Sequence, residues 1–165
     1  ASSQGLVMAW GLPRLTEPDI EAVGSVMAMI EAWALPGLGT WCTRWGVTAV
    51  RTRVAHWSRA GQLALMFEGV APARADAARR EFRSLAPGLF RGLSGSPAWQ
   101  HERLERRLAR LEVNEHAEGL AMQIGWQALR RLRGGRPARD PLPIESLCGQ
   151  VFAAPGCMSV YGSDA

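Results

Sequence analysis

Residues 44–69 read RWGVTAVRTRVAHWSRAGQLALMFEG, and the alternation inside this stretch decides the fold. Between residues 47 and 57, Thr48, Val50, Thr52 and Val54 fall on one side. Ala49, Arg51, Arg53 and Ala55 fall on the other. Period-two alternation with β-branched residues predicts a strand. Residues 58–61, SRAG, supply a turn. In QLALMFEG, which follows, Leu63, Leu65 and Phe67 share one face, and Ala64, Met66 and Glu68 share the other. Two strands joined by a short loop pair antiparallel. The β-branched side of the first strand suits packing against helices, whereas its other side carries two arginines.

Working outward, residues 5–10, GLVMAW, form a short apolar run that suits a buried strand. A helix follows over 17–34. Thr16 is its candidate N-cap, Pro18 sits in its first turn and Asp19 lies three residues after the cap. Ile20, Val23, Met27 and Ile30 recur at helical spacing, and Leu35-Pro36-Gly37 with Gly39 end the helix. Beyond the hairpin, Ala75, Ala78, Phe82 and Leu85 mark a helix over 71–85. Residues 92–97, GLSGSP, read as a loop. Pro97 then opens a long charged helix with one stripe at Leu104, Leu108 and Leu111 and a second at Ala121, Ile124, Ala128 and Leu132. A break near Val113-Asn114 splits it into two helices. Residues 133–143 read as a loop, 144–152 as a short helix and 157–162 as a final strand. The order predicts an α+β fold in one domain over 1–165: a mostly antiparallel sheet with helices packed on one face.

A chain of 165 residues is long enough to bury a core. Its 47% hydrophobic and 21% charged residues place it among ordinary globular proteins. No apolar run approaches the roughly 20 residues that span a bilayer, so no membrane role is expected. The N-terminus, ASSQGLVMAWGLP, has no basic region of the signal-peptide kind and no initiator Met. That predicts a processed product or a segment of a longer chain. The formal charge is +4 and the pI about 9.7, and all 19 Lys-plus-Arg residues are Arg. Arg supplies planar, bidentate donors for carboxylates and phosphates. These arginines are spread along the chain and interleaved with Glu, which argues against a nucleic-acid partner. Cys42, Cys148 and Cys157 are too few and too widely spaced for a disulfide framework or a zinc site. Reduced, buried thiols and a cytoplasmic setting are expected, with a Cys148–Cys157 bridge as the alternative.

The search for chemistry within the chain is short. A zinc-peptidase helix needs HxxEH or HExxH. His56, His101 and His116 stand in AHWSR, QHERL and EHAEG, and none has a second His three or four residues away. There is no GxSxG elbow; Ser94 in GLSGSP is a loop serine. The only Gly-rich candidate for a phosphate loop, residues 35–40 (LPGLGT), follows a helix rather than a strand. Glu102, Glu105 and Glu112 alternate with Arg103, Arg106, Arg107 and Arg110, which is the pattern of a solvated helix face. The seven tryptophans, Trp10, Trp33, Trp41, Trp45, Trp57, Trp99 and Trp126, divide between core and interface in a way the sequence leaves open. No catalytic or metal-binding residue is therefore assigned.

Taken in order, the segments resemble one half-domain of the pitrilysin/insulinase metallopeptidase family, which includes the mitochondrial processing peptidases. SSQGLVMAWGLPRLTEPDIEAVGSVMAMIEAW resembles that family's strand and following helix. RWGVTAVRTRVAHWSRAGQLALMFEGVAPARADAARREF resembles its Gly-led hairpin and next helix, and RLERRLARLEVNEHAEGLAMQIGWQAL its late helix pair. The likeness runs over nearly the whole chain. It implies a two-sided enzyme in which one half carries HxxEH and zinc, and a homologous, metal-free half completes a chamber around a peptide. This chain lacks HxxEH, so the resemblance implies the metal-free half. Zinc is then expected in the partner half and no cofactor in this one. In that half an Arg four residues before the strand's Gly and a Tyr three after it touch substrate. With Gly46 as that Gly, the matching positions are Cys42 and Ala49, so both contacts are replaced. Arg44, Arg51 and Arg53 are then the candidate substrate-binding residues, with Arg51 and Arg53 on the chamber side either favouring acidic peptide segments or pairing with Glu on a neighbouring strand. The alternative is a peptide-binding or scaffold module that kept the fold and lost the protease.

Overall fold

The computed structural model describes residues 4–13, 15–56, 61–115, 121, 143–154 and 156–162. Four strands form one sheet: β1 (Gly5–Leu12), β2 (Ala49–His56), β3 (Gly61–Glu68) and β4 (Cys157–Tyr161). Their order is β2-β3-β1-β4, and every neighbouring pair is antiparallel. Between and after them lie helices α1 (Glu17–Glu31), α2 (Leu38–Trp45), α3 (Ala75–Leu89), α4 (Pro97–Glu115) and α5 (Ile144–Ala153). The protein has the α+β, antiparallel architecture that the alternation predicts.

The two strand faces separate as the hydrophobic pattern dictates, because successive side chains of a strand point to opposite sides. Leu6, Met8, Trp10 and Leu12 of β1 are buried, as are Leu63, Leu65 and Phe67 of β3 and Val50 of β2. Against them pack Val23, Val26, Met27 and Ile30 from α1, Ala78, Phe82 and Ala86 from α3, and Leu147, Val151 and Phe152 from α5. Phe82 stands at the centre. Its ring lies 5.2 Å from Trp41, 5.3 Å from Phe67, 6.3 Å from Trp10 and 6.4 Å from Phe152. Edge-on and tilted contacts of this kind add to simple area burial.

Local chemistry fixes the ends of α1 and α2. Thr16 and Asp19 form a reciprocal capping box: the Thr16 N–H donates to Asp19 Oδ2 at 2.8 Å, and the Asp19 N–H donates to Thr16 Oγ1 at 3.4 Å. Helix α2 occupies residues that the sequence pattern assigns to no helix. The glycines flanking it are its caps: Gly37 and Gly46 both sit in the left-handed region, at φ 82° and 71°. Its buried face, Leu38, Trp41, Cys42 and Trp45, follows the i, i+3, i+4, i+7 spacing. As a result β2 begins at Ala49, two residues later than the alternation suggests, and residues 44 and 45 are helical.

Two further differences concern the helical layer. Helix α3 continues past Leu85 to Leu89, with Pro87 inside its last turn. Helix α4 spans Pro97–Glu115, and the residues that follow, 116–120, where the expected break would separate it from a second helix, lie outside the described residues. Within it Arg106 Nε donates to Glu102 Oε1 at 2.7 Å, an i, i+4 pair. Leu104 and Leu108, expected to form an apolar stripe, stand 54% and 46% exposed. Of the expected turn at 58–61, Gly61 is the first residue of β3 and residues 58–60 lie outside the described residues, as do the second stripe of the long helix beyond Ala121 and residues 133–142 of the expected loop.

Hydrogen bonds to the Glu31 side chain cover the outer edge of β2. The Thr52 backbone N–H points away from β3 and donates to Glu31 Oε1 at 2.6 Å, and its hydroxyl donates to the same oxygen at 2.7 Å. The end of α1 thus covers the β2 edge and satisfies a donor that would otherwise be open to another strand. A second tie joins the 3₁₀ turn at Leu93–Gly95 to α5: the N–H and hydroxyl of Ser94 both donate to Glu145 Oε1. These bonds hold the Glu145 carboxyl below its ordinary range.

Candidate functional site

The sheet face turned away from the helices is built from alternate residues of all four strands, and the register aligns them in rows. Ala49, Glu68, Gly5 and Tyr161 form the first row. Arg51, Met66, Val7 and Ser159 form the second, and Arg53, Ala64, Ala9 and Cys157 the third. Gly11, Gln62 and Ala55 extend the face beyond them. Apart from Gly5, which is buried, these residues are half-buried or exposed. Small side chains dominate the middle, so the face is a shallow floor with arginines along the β2 border. Gly5 permits one close approach, because a Cβ there would fall 2.5 Å from Tyr161 Oη and 2.6 Å from the Phe67 carbonyl. The Tyr161 ring lies over the glycine and forms the opposite border.

The structure separates the three candidate arginines. Arg51 and Arg53 both stand on this face and are exposed. Arg51 Nε donates to Glu68 Oε1 at 2.5 Å, and the pair holds the guanidinium above its ordinary value. Arg53 makes no ion pair among the described residues. Arg44 belongs to a different cluster. It lies in the last turn of α2 and bridges to Glu81 of α3 at 3.0 Å. Its carbonyl accepts from Arg74 Nη2 at 3.2 Å, and the Arg74 guanidinium stacks 4.8 Å above the Trp45 ring. Arg44 therefore fastens α2 to α3 instead of joining Arg51 and Arg53.

The positions matched to the family's Arg and Tyr contacts diverge as well. Gly46 caps α2, so Cys42 lies inside a helix and is fully buried in the core. A charged side chain there would face apolar neighbours at a cost of several kcal/mol. Ala49 does sit on the shallow face, beside Glu68, but its methyl group offers no hydrogen bond.

Among the described residues no cluster of three or more His, Cys, Asp or Glu is arranged to hold a metal, and no helix is long and apolar enough to cross a membrane. His101 is exposed on α4. Trp10, Trp41, Trp45 and Trp99 are buried, which assigns four of the seven tryptophans to the core. All three cysteines are free. Cys42 and Cys148 are buried, and burial pushes their thiols up to about 11 and about 12. Cys157, expected to be buried, is exposed on the shallow face. Iodoacetamide at neutral pH should modify Cys157 in the native protein and reach Cys42 and Cys148 only after unfolding. The buried thiols remain protonated where unfolded ones ionise, so stability should fall as pH rises above the ordinary thiol value of 9.0. A pH titration of the urea midpoint checks the sign.

No known protein-family model matches the sequence, and no curated protein matches it.

Proposed function

We propose that the chain is the metal-free half of a two-part zinc metallopeptidase and that the shallow sheet face forms one wall of its peptide chamber. The observation that carries this reading is the one-sided sheet. Helices pack on one face, while the other presents a broad floor of Val7, Ala9, Ala64 and Met66 bordered by arginines. The strand-helix start and the hairpin followed by a helix, two of the segments on which the family resemblance rests, have counterparts in β1–α1 and β2–β3–α3, with α2 between them. In this reading the partner half supplies zinc, the activated water and the glutamate base. The present chain confines the peptide and fixes its path, and such positioning raises rate by holding the reacting bond in place.

Native purification with metal analysis tests the proposal. A homologous HxxEH chain should travel with this one, with zinc in proportion to that partner, and only the assembly should hydrolyse peptides. A metal-free monomer without a companion, in an extract that contains the HxxEH chain, would remove it. The buried Cys42 and the featureless Ala49 favour a second reading, a peptide-binding module without a protease partner, and that monomer would support it.

A further inference from the structure

We propose that the shallow face selects peptides with an acidic side chain, that Arg53 is the residue that reads it, and that Glu68 sets the selectivity by neutralising Arg51. This inference rests on the reading of the face as a peptide-binding wall. Arg51 and Arg53 are two residues apart on one side of β2, about 7 Å by strand geometry. The sequence makes them equivalent, but their surroundings do not. Arg51 is held by Glu68 from the neighbouring strand, and the two charges cancel. Glu31, the acidic group on the outer side of β2, is engaged by the Thr52 N–H and hydroxyl. The row that runs inward from Arg53 contains Ala64, Ala9 and Cys157, none of which carries a carboxylate or reaches far above the sheet. Among the described residues Arg53 is thus the guanidinium of this face without an ion-pair partner, at the border of a floor low enough for an extended backbone. A planar guanidinium is suited to bidentate pairing with a carboxylate.

The test uses the whole chain and two fluorescein-labelled peptides of the same length, one with two glutamates and one with glutamines in their place. Binding is measured by anisotropy at low ionic strength. The wild type should prefer the glutamate peptide. R53Q should weaken that peptide about fivefold, the upper range for an exposed ion pair, and leave the glutamine peptide unchanged. E68Q should strengthen glutamate binding by a similar factor, because it releases Arg51. R51Q should weaken it by exposing the Glu68 carboxylate, and R51Q with E68Q should return it to the wild-type level. The differences should vanish near 1 M salt, where the screening length is about 3 Å. Unchanged melting curves show that these substitutions leave the fold intact. Equal binding of the two peptides by the wild type, or R53Q without effect, overturns the proposal. If the zinc-bearing partner still co-purifies after that result, only the acid selectivity is lost. If Arg53-dependent binding persists with no partner, the peptidase reading is lost and this inference stands.

Discussion

Phe82→Ala should lower the unfolding free energy by about 3–5 kcal/mol, the range for removing a buried phenylalanine ring. Phe82 has no accessible surface and lies within 6.4 Å, centroid to centroid, of four other aromatic rings. Those partners come from β1, β3, α2 and α5, so one side chain ties the sheet to the helical layer at several points. Collapse around the deletion is limited because the neighbours are themselves large and fixed by different elements. A urea titration followed by tryptophan fluorescence measures the loss. Phe82→Leu, which keeps most of the volume, should cost clearly less. Equal, small losses for both variants would show that the rings are not packed as described.

Gly69→Ala should be nearly as damaging, at about 3 kcal/mol, for a different reason. Gly69 has φ 96°, a conformation that side chains disfavour by about 1–3 kcal/mol. A Cβ there would also collide with the Gly46 carbonyl and press on Thr48, whose N–H and Cγ2 would both lie 3.2 Å away. The two glycines cross where α2 hands the chain to β2 and where β3 leaves the sheet. The Gly69 N–H further holds β1 in register through the Gln4 carbonyl at 2.8 Å. Gly39→Ala, inside α2, meets nothing within 4 Å and should stabilise by about 0.5–1 kcal/mol. Thermal melts of the two variants should therefore move in opposite directions. A Gly69→Ala protein that melts with the wild type would refute the close crossing.

The sheet was legible because its information is local. Alternation at Thr48–Val54 and Leu63–Phe67 assigns each side chain to a face without knowledge of the partner strand, and the structure places Val50, Leu63, Leu65 and Phe67 in the core accordingly. Helix α2 was equally local but hidden by its glycines. Gly37 and Gly39 read as the end of the preceding helix and Gly46 as the start of a strand, whereas Gly37 and Gly46 cap α2 and Gly39 lies inside it. The stripe of Leu38, Trp41, Cys42 and Trp45 was the available signal. The site was less legible because it depends on register. That Arg51 and Glu68 share a face follows from alternation. That they meet depends on Ala49 pairing with Glu68 and Arg51 with Met66, which no single strand reveals. Arg44 shows the same limit, since its Glu81 partner lies 37 residues away.

The account depends on the shallow sheet face being the surface that meets peptide. Photo-crosslinking addresses this directly, with benzoylphenylalanine placed at Ala9, in the middle of that face, or at Ser84, exposed on α3. Each variant is assembled with its native companions and irradiated with a biotinylated glutamate-containing peptide. Capture from position 9 and none from position 84 is the predicted result. Capture from position 84 alone, or equally from both, would contradict it.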